Sequence, residues 1–431
     1  MWPLSNDIRS KQFIKIFKDD NSEYESMLQR VYRQIHRADP RASITIAAPK
    51  VQVSSIRNQL PEEQVNISVE PCRRDTFPAI ALATAYLHDV QHIPAEETVV
   101  VCPVDPYVED AYFETLKELS AQAESGDANL VLMGIAPTYP SEKYGYIIPK
   151  DAGQVSTVVS FKEKPDAATA EQYISQGALW NGGVFAYKIK YLLEKAHELI
   201  SFNDYYDLYA KYDSLRKISF DFAVVEQEEH IQVVRFAGRW KDVGTWNTLA
   251  EVMDENCVGN VIFNDSCRNV HVVNELSAPI LVMGIQDAVI SASSEGILVS
   301  DKVQSSYIKP YVDRIDQQVM FAEKSWGSFR VLDVEPASLT ILLHLNAGHS
   351  MSYHSHENRD EIWTVISGKG KIILDGEEQE ISAGSVISIK AGRRHAMRAE
   401  SGLKLIEVQI GEGISVNDKQ KYMLIAEHSV F

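Results

Sequence analysis

The residues with the clearest chemistry lie near the carboxyl end. Gly348, His354, His356, Glu361 and Gly368 follow the spacing G-x5-H-x-H-x4-E-x6-G, and Gly384, Gly392 and His395 form a second set. Two histidines two residues apart project from the same face of a strand, so both imidazoles can reach one ion. Glu361 and His395 complete a set of three imidazoles and one carboxylate, a donor mixture suited to Zn, Mn, Fe or another first-row metal. A lone histidine is usually just packed; here the combined spacing is what carries the reading.

A second set, scattered over the first 250 residues, has the types needed to handle a nucleotide and a sugar phosphate. Lys11 follows the opening Trp-Pro-Leu-Ser, and Arg74, Thr76 and Pro78 lie in EPCRRDTFPAI, a cationic loop ahead of a helix where backbone N–H groups favour anions. Asp105 closes CPVD at the end of an apolar run, on the rim where parallel sheets bind ligands. Further on come Gly145 in YGYI, Glu163 and Lys164 in FKEKP, Asn181 in WNGGVF and Asp242 in WKDVGTW. Glu163 and Asn181 can hydrogen-bond hydroxyls, Lys164 can bind a phosphate, and Asp105 with Asp242 would hold Mg²⁺. Singly, each has a plainer reading: an Asp after a strand is commonly a turn or cap residue, and a Trp beside Gly commonly core.

The elements that must position these groups are of two kinds. From Ser43 to about Gly244, short apolar runs (SITIAAP, TVVVCPV, ANLVLMGI) alternate with amphipathic stretches, which predicts an α/β fold with a doubly wound, mostly parallel sheet. Helices give way to short β runs after Asn256, a strand-rich bridge. From about Glu323, evenly spaced strands with glycine turns, among them the hairpin signal Asp375-Gly376, predict a closed antiparallel barrel or jelly roll. The expected division is 1–255, 256–322 and 323–431, in keeping with a chain of 431 residues.

The histidine and glycine spacing resembles the two cupin motifs, and the strands around it agree with the cupin barrel. The remaining segments, in order WPLS, KQF, EPCRRDTFPAI, PVD, YGYI, FKEKP, WNGGVF, SFDFAVVE, KDVGTW and KSWGSF, resemble the mannose-1-phosphate guanylyltransferases, including the long bacterial form with a C-terminal cupin similar to a type II mannose-6-phosphate isomerase. The first domain then has the Rossmann-like fold of nucleotide-diphospho-sugar transferases. The resemblance implies nucleotidyl transfer, GTP plus mannose 1-phosphate giving GDP-mannose and pyrophosphate. It places Lys11 on the phosphates, Asp105 and Asp242 on the metal, Lys164 on the sugar phosphate, Gly145, Glu163 and Asn181 on the hexose, and Arg74, Thr76 and Pro78 at the nucleotide. Two other readings stand beside it: a bifunctional enzyme whose cupin also interconverts mannose 6-phosphate and fructose 6-phosphate, and a non-catalytic, metal-binding sugar sensor or assembly module.

Two departures qualify the resemblance. In the family a loop L-A-G-G-x-G-x-R, which wraps the triphosphate, stands just before W-P-L-S, whereas Met1 falls next to Trp2 here. The expectation is a start codon assigned inside the gene, about fifteen to twenty residues late, and little transferase activity without that loop. In the cupin, His354-Ser355-His356-Glu357-Asn358-Arg359-Asp360-Glu361-Ile362-Trp363 replaces the Gln-x-His-His-His-Arg-x-Glu-His-Trp run of isomerase-competent members.

Composition sets the outer limits. With 42 Lys and Arg against 60 Asp and Glu the net charge is −18, which argues against nucleic acid or an anionic membrane as partner and requires Mg²⁺ or local cations wherever anionic substrates sit. No stretch is apolar enough to span a bilayer, and the N-terminus lacks the pattern of a secretory signal, so a cytoplasmic location is expected. Four well-separated cysteines read as reduced thiols. Exposed barrel edges and the bridge are compatible with a homodimer.

Overall fold

The computed structural model describes residues 1–6, 8–60, 65–315, 319–414 and 418–422. The chain falls into two compact units, one made of Lys15–Val53 and Leu60–Gly244, the other of Met1–Ile14, Ser54–Gln59 and Thr245–Phe431.

The first unit is α/β. Six strands form one sheet in the order Thr98–Val101, Leu179–Lys188, Leu130–Ile135, Ile231–Phe236, Val155–Lys162, Tyr146–Pro149. Leu130–Ile135 is buried at every position, as expected for an apolar run covered on both faces. Leu132, Val233, Phe185, Ile147 and Phe220 meet in the core beside it. Helices Thr76–Ala85, Asp110–Ser125 and Ile189–Leu199 supply the covering layers. The strand directions are more mixed than the apolar runs imply: within this sheet only Leu130–Ile135 and Ile231–Phe236 run parallel, and Leu179–Lys188 pairs antiparallel with both Thr98–Val101 and Leu130–Ile135. An apolar run encodes burial on both faces and leaves direction unspecified. A further parallel pair, Ile44–Pro49 with Val65–Glu70, forms its own two-stranded sheet.

In the second unit, Cys257–Val258, His271–Asn274 and Ala288–Ser293 stack in parallel, as do Val261–Phe263 and Ile280–Val282. This coil of short strands closes over Val270, Val272, Val282 and Ile290. The N-terminal segment is fastened to it: Trp246 Nε1 donates to the Trp2 carbonyl at 2.9 Å, Ser293 Oγ to the Pro3 carbonyl at 2.7 Å, and Arg9 forms a two-point ion pair with Glu275.

The barrel follows as two antiparallel sheets. One runs Phe321–Lys324, Gly327–Glu335, Ser338–Leu345, Leu403–Gly411, Arg359–Ser367, Val386–Ile389; the other runs Glu377–Ser382, Lys369–Leu374, His395–Ala399, His354–Ser355, Gln420–Lys421. Asp375 (φ 49°) and Gly376 (φ 92°) turn the chain between Lys369–Leu374 and Glu377–Ser382, the left-handed pair a two-residue hairpin needs. Trp363, Leu345, Leu403 and Leu405 fill the interior. The four cysteines are unpaired, and among the described residues no helix is long and apolar enough to cross a membrane.

Candidate functional sites

In the α/β unit, a cavity of about 250 Å³ is lined by Pro103, Asp105, Pro106, Lys143, Tyr144, Gly145, Glu163, Asn181, Gly182, Gly183, Asp221, Trp240 and Asp242. Strand pairing explains why these distant positions meet. Pro106–Val108 pairs antiparallel with Trp240–Asp242, and Asp242 stands opposite Pro106, so Asp105 and Asp242 arrive side by side. Tyr146 pairs with Lys162, which brings Gly145 against Glu163. A Cβ on Gly145 would fall 2.5 Å from Glu163 Oε2 and 2.8 Å from the Phe161 ring, so glycine is what admits the carboxylate there.

Asn181 is held on three sides. Its backbone N–H donates to the Gly145 carbonyl at 2.8 Å, its Nδ2 to Asp221 Oδ1 at 2.6 Å, and its Oδ1 accepts from Gly183 N at 3.1 Å. These contacts fix which end of the amide is donor and which acceptor. Burial, with the Glu163 charge adding, pushes the Asp221 carboxyl up to about 6. Lys164 does not line the cavity but reaches it through Glu163, 2.7 Å away, and that hydrogen bond holds its ammonium above the usual range. Tyr144 and Trp240 form an aromatic wall backed by Trp180, with ring centroids 4.9 Å (Tyr144–Trp180) and 5.4 Å (Tyr144–Trp240) apart.

The other positions singled out in the sequence lie elsewhere. Thr76 Oγ1 accepts from Phe220 N at 2.8 Å and so anchors the short helix Phe220–Ala223 that carries Asp221. Arg74 Nε donates to the Tyr212 carbonyl at 3.3 Å, and Pro78 is buried within Thr76–Ala85. Lys11 lies in the helical turn Lys11–Phe13 of the second unit, where its charge bears on the Met1 ammonium. Asp221, Tyr144 and Trp240 were not singled out. Each sits inside a quoted segment; glycines stand near Tyr144 in YGYI and Trp240 in WKDVGTW, whereas nothing in SFDFAVVE marked Asp221.

The barrel holds the second site. His354, His356 and His395 are buried and present ligand atoms within 4.8 Å of one another. His354 and His395 face each other across paired strands. Each Nδ1 meets a backbone carbonyl: Ser352 at 2.5 Å for His354, Arg393 at 2.9 Å for His395, and Asp418 for His356. A carbonyl only accepts, so each Nδ1 carries the proton and each Nε2 keeps its lone pair, that of His356 accepting from Arg359 Nη2 at 2.9 Å until an ion displaces it. His395 Nε2 is buried without a hydrogen-bond partner, a cost that a metal ion would remove. The donor set therefore fits an ion. Burial, with Lys419 adding, brings the His354 imidazole down to about 2, so it stays neutral.

Glu361 stands beside the triad, 3.2 Å from His356 Nε2 and 3.4 Å from His395 Nε2. Arg359 Nε and Trp363 Nε1 donate to it at 3.0 and 3.1 Å. Burial opposes its charge, while the Arg359 guanidinium favours it and holds the carboxyl below the usual range; His395 and His356 add to this only when protonated. Behind it, burial and the Glu361 charge push Glu407 up to about 8.

Residues 1–257 match the nucleotidyl transferase family, and residues 341–409 match the cupin domain. The chain is 27% identical to the mannose-1-phosphate guanylyltransferase of Escherichia coli K12, covering 98% of this chain and 95% of that protein. It is 28% identical to the mannose-1-phosphate guanylyltransferase RfbM of Salmonella typhimurium, covering 97% and 93%. A crystal structure from Thermus thermophilus, described as a mannose-1-phosphate geranyltransferase, superposes with a TM-score of 0.60 at 27% identity, over 73% of this chain and 95% of that one.

Proposed function

Because the chain belongs to the nucleotidyl transferase family, we propose that it joins GTP to mannose 1-phosphate, giving GDP-mannose and pyrophosphate. The observation that carries this reading is a cavity whose lining brings Asp105 and Asp242 together with Glu163 and Asn181. A phosphate oxygen of the sugar attacks the α-phosphorus as pyrophosphate departs in line, so the protein's task is placement and charge stabilisation. Asp105 and Asp242 would hold Mg²⁺, which supplies positive charge for the phosphoryl oxygens. Glu163 and the fixed amide of Asn181 take hexose hydroxyls, with Gly145 making room, and Lys164 meets the sugar phosphate. Lys11, Arg74, Thr76 and Pro78 are assigned to the nucleotide end on resemblance alone. The division of labour follows 1–255, 256–322 and 323–431. Pyrophosphate release from GTP and mannose 1-phosphate tests the reading; no release with any nucleotide and hexose 1-phosphate pair leaves the sensor reading in its place.

The buried triad and its neighbouring acids favour a second reading for the barrel. There His354, His356 and His395, with Glu361 alongside, would hold Zn, Mn or Fe, and the site would interconvert mannose 6-phosphate and fructose 6-phosphate. A coupled isomerase assay with and without chelator decides it. The charge of −18 argues against a nucleic-acid or anionic-membrane partner and requires local cations or Mg²⁺ wherever the anionic substrates sit. Sedimentation tests the homodimer.

A further inference from the structure

The last described segment, Asp418–Tyr422, folds back onto the stretch that carries His354 and, just past its strand, His356. Gln420–Lys421 pairs antiparallel with His354–Ser355, placing Lys421 opposite His354 and Gln420 opposite Ser355. Four further contacts fasten this strap. The Asp418 carboxylate accepts from Glu357 N at 2.9 Å and Asn358 N at 3.0 Å, Tyr422 N donates to the Tyr353 carbonyl at 2.9 Å, and the Arg394 guanidinium lies 4.2 Å from the Tyr422 ring centroid. The strap also touches the site itself. The Asp418 carbonyl is the acceptor that fixes His356 Nδ1, and Lys419 is near enough to Glu407 and Glu361 for both carboxylates to bear on its ammonium.

From this geometry we infer that Asp418–Tyr422 is a positioning element of the barrel's metal centre, so that ion binding and strap docking form one coupled equilibrium. The inference rests on the reading of His354, His356 and His395 as ion ligands. Without the Asp418 carbonyl, His356 keeps only the Arg359 contact at Nε2, which an ion must displace, so nothing behind the ring fixes its tautomer and one of three lone pairs is no longer aimed. Ligand-orienting partners of this kind are worth about ten- to a hundredfold in metal affinity. Reciprocity follows by linkage: an ion that prefers the docked state must in turn hold the strap down. His354 and His395 take their carbonyls from Ser352 and Arg393, outside the strap, so they serve as internal controls.

The test uses the full chain and Co²⁺ as probe. Competition against a chromophoric chelator gives affinity, and hydrogen exchange follows the Tyr422 amide with and without the ion. The exchangeable Nδ1 protons of the Co²⁺ form, shifted by the paramagnetic ion, report each imidazole separately. Asp418→Ala should weaken Co²⁺ about ten- to a hundredfold and broaden or remove the His356 proton signal while those of His354 and His395 persist. Asp418→Asn, which keeps one acceptor oxygen, should fall between, and Co²⁺ should slow Tyr422 exchange in the parent protein. Should Asp418→Ala unfold the barrel, Tyr422→Ala releases the far end of the strap without touching a ligand and should weaken Co²⁺ in the same direction. Parent protein that binds Co²⁺ while the variants bind it equally well, with all three proton signals intact, overturns the strap. Parent protein that binds no ion overturns the metal reading beneath it.

Discussion

The two candidate sites would offer a cation opposite kinds of donor. In the α/β cavity the acids Asp105, Glu163 and Asp242, beside strand ends, and Asp221, on the helix Phe220–Ala223, share one lining with an aromatic wall, and Asp105 and Asp242 are the pair proposed for Mg²⁺. In the barrel the donors are ring nitrogens, buried and each fixed from behind by a main-chain carbonyl. The first arrangement suits a hard ion that keeps waters and phosphates in its shell; the second suits a first-row ion. On the proposed readings, the difference in donor atom and burial separates an ion met together with substrate from an ion kept in place.

The strongest way to break this comparison is to remove one oxygen site and look for an effect on the other. Asp242→Asn should lower nucleotidyl transfer by about a hundred- to a thousandfold, on the scale of losing one element of charge stabilisation, and leave Co²⁺ uptake by the barrel unchanged; steady-state pyrophosphate release and chelator competition read the two. His395→Ala should do the reverse, with metal content by mass spectrometry falling from one ion towards none and transfer kept within about twofold.

A finer probe is Gly145→Ala. Its Cβ meets the Glu163 carboxylate and the Phe161 ring at under 3.0 Å, so Glu163 must move. The expected result is a rise in KM for the sugar phosphate of about ten- to a hundredfold, with KM for the nucleotide nearly constant. A matched rise in both would mean that the whole cavity had shifted.

The smallest effect expected is a difference in the sign of pH dependence. The His354 imidazole is held near 2 against an ordinary 6.5, so in metal-free protein the unfolded chain takes up its proton first. The stability this neutral group confers is complete above pH 6.5 and fades as pH falls below it. Asp221 is raised to about 6 from 3.8; its contribution is complete below pH 3.8 and fades as pH rises through 6. Asp221→Asn should therefore remove a downward drift in the melting temperature between pH 4 and 6, a change of about 2–4 °C per kcal/mol affected. Calorimetry across that range checks it, and a variant whose profile matches the parent's would discard the assignment.

Legibility in the sequence followed the same divide. The barrel ligands sit in two short segments with turn glycines at fixed offsets, so their gathering could be read from spacing. The cavity is assembled by register: Asp242 meets Asp105 only because Trp240–Asp242 pairs with Pro106–Val108, and Gly145 meets Glu163 only because Tyr146 pairs with Lys162. No local pattern encodes those pairings, so Asp221, Tyr144 and Trp240 passed as ordinary neighbours. Thr76 shows the converse. A hydroxyl in a cationic loop reads as an anion contact, yet it accepts from Phe220 N and positions the helix bearing Asp221. Strand direction was equally hidden, since the apolar run of Leu179–Lys188 looks the same whichever way it enters the sheet.

The carbonyls behind the three imidazoles bear on how this barrel can drift. What holds His354 and His395 is the path of the main chain at Ser352 and Arg393, so either side chain can be exchanged without disturbing the bond it frames. The outer layer of the centre is thus written in backbone geometry, and a scan of side-chain substitutions would pass over it while any insertion beside those residues would not.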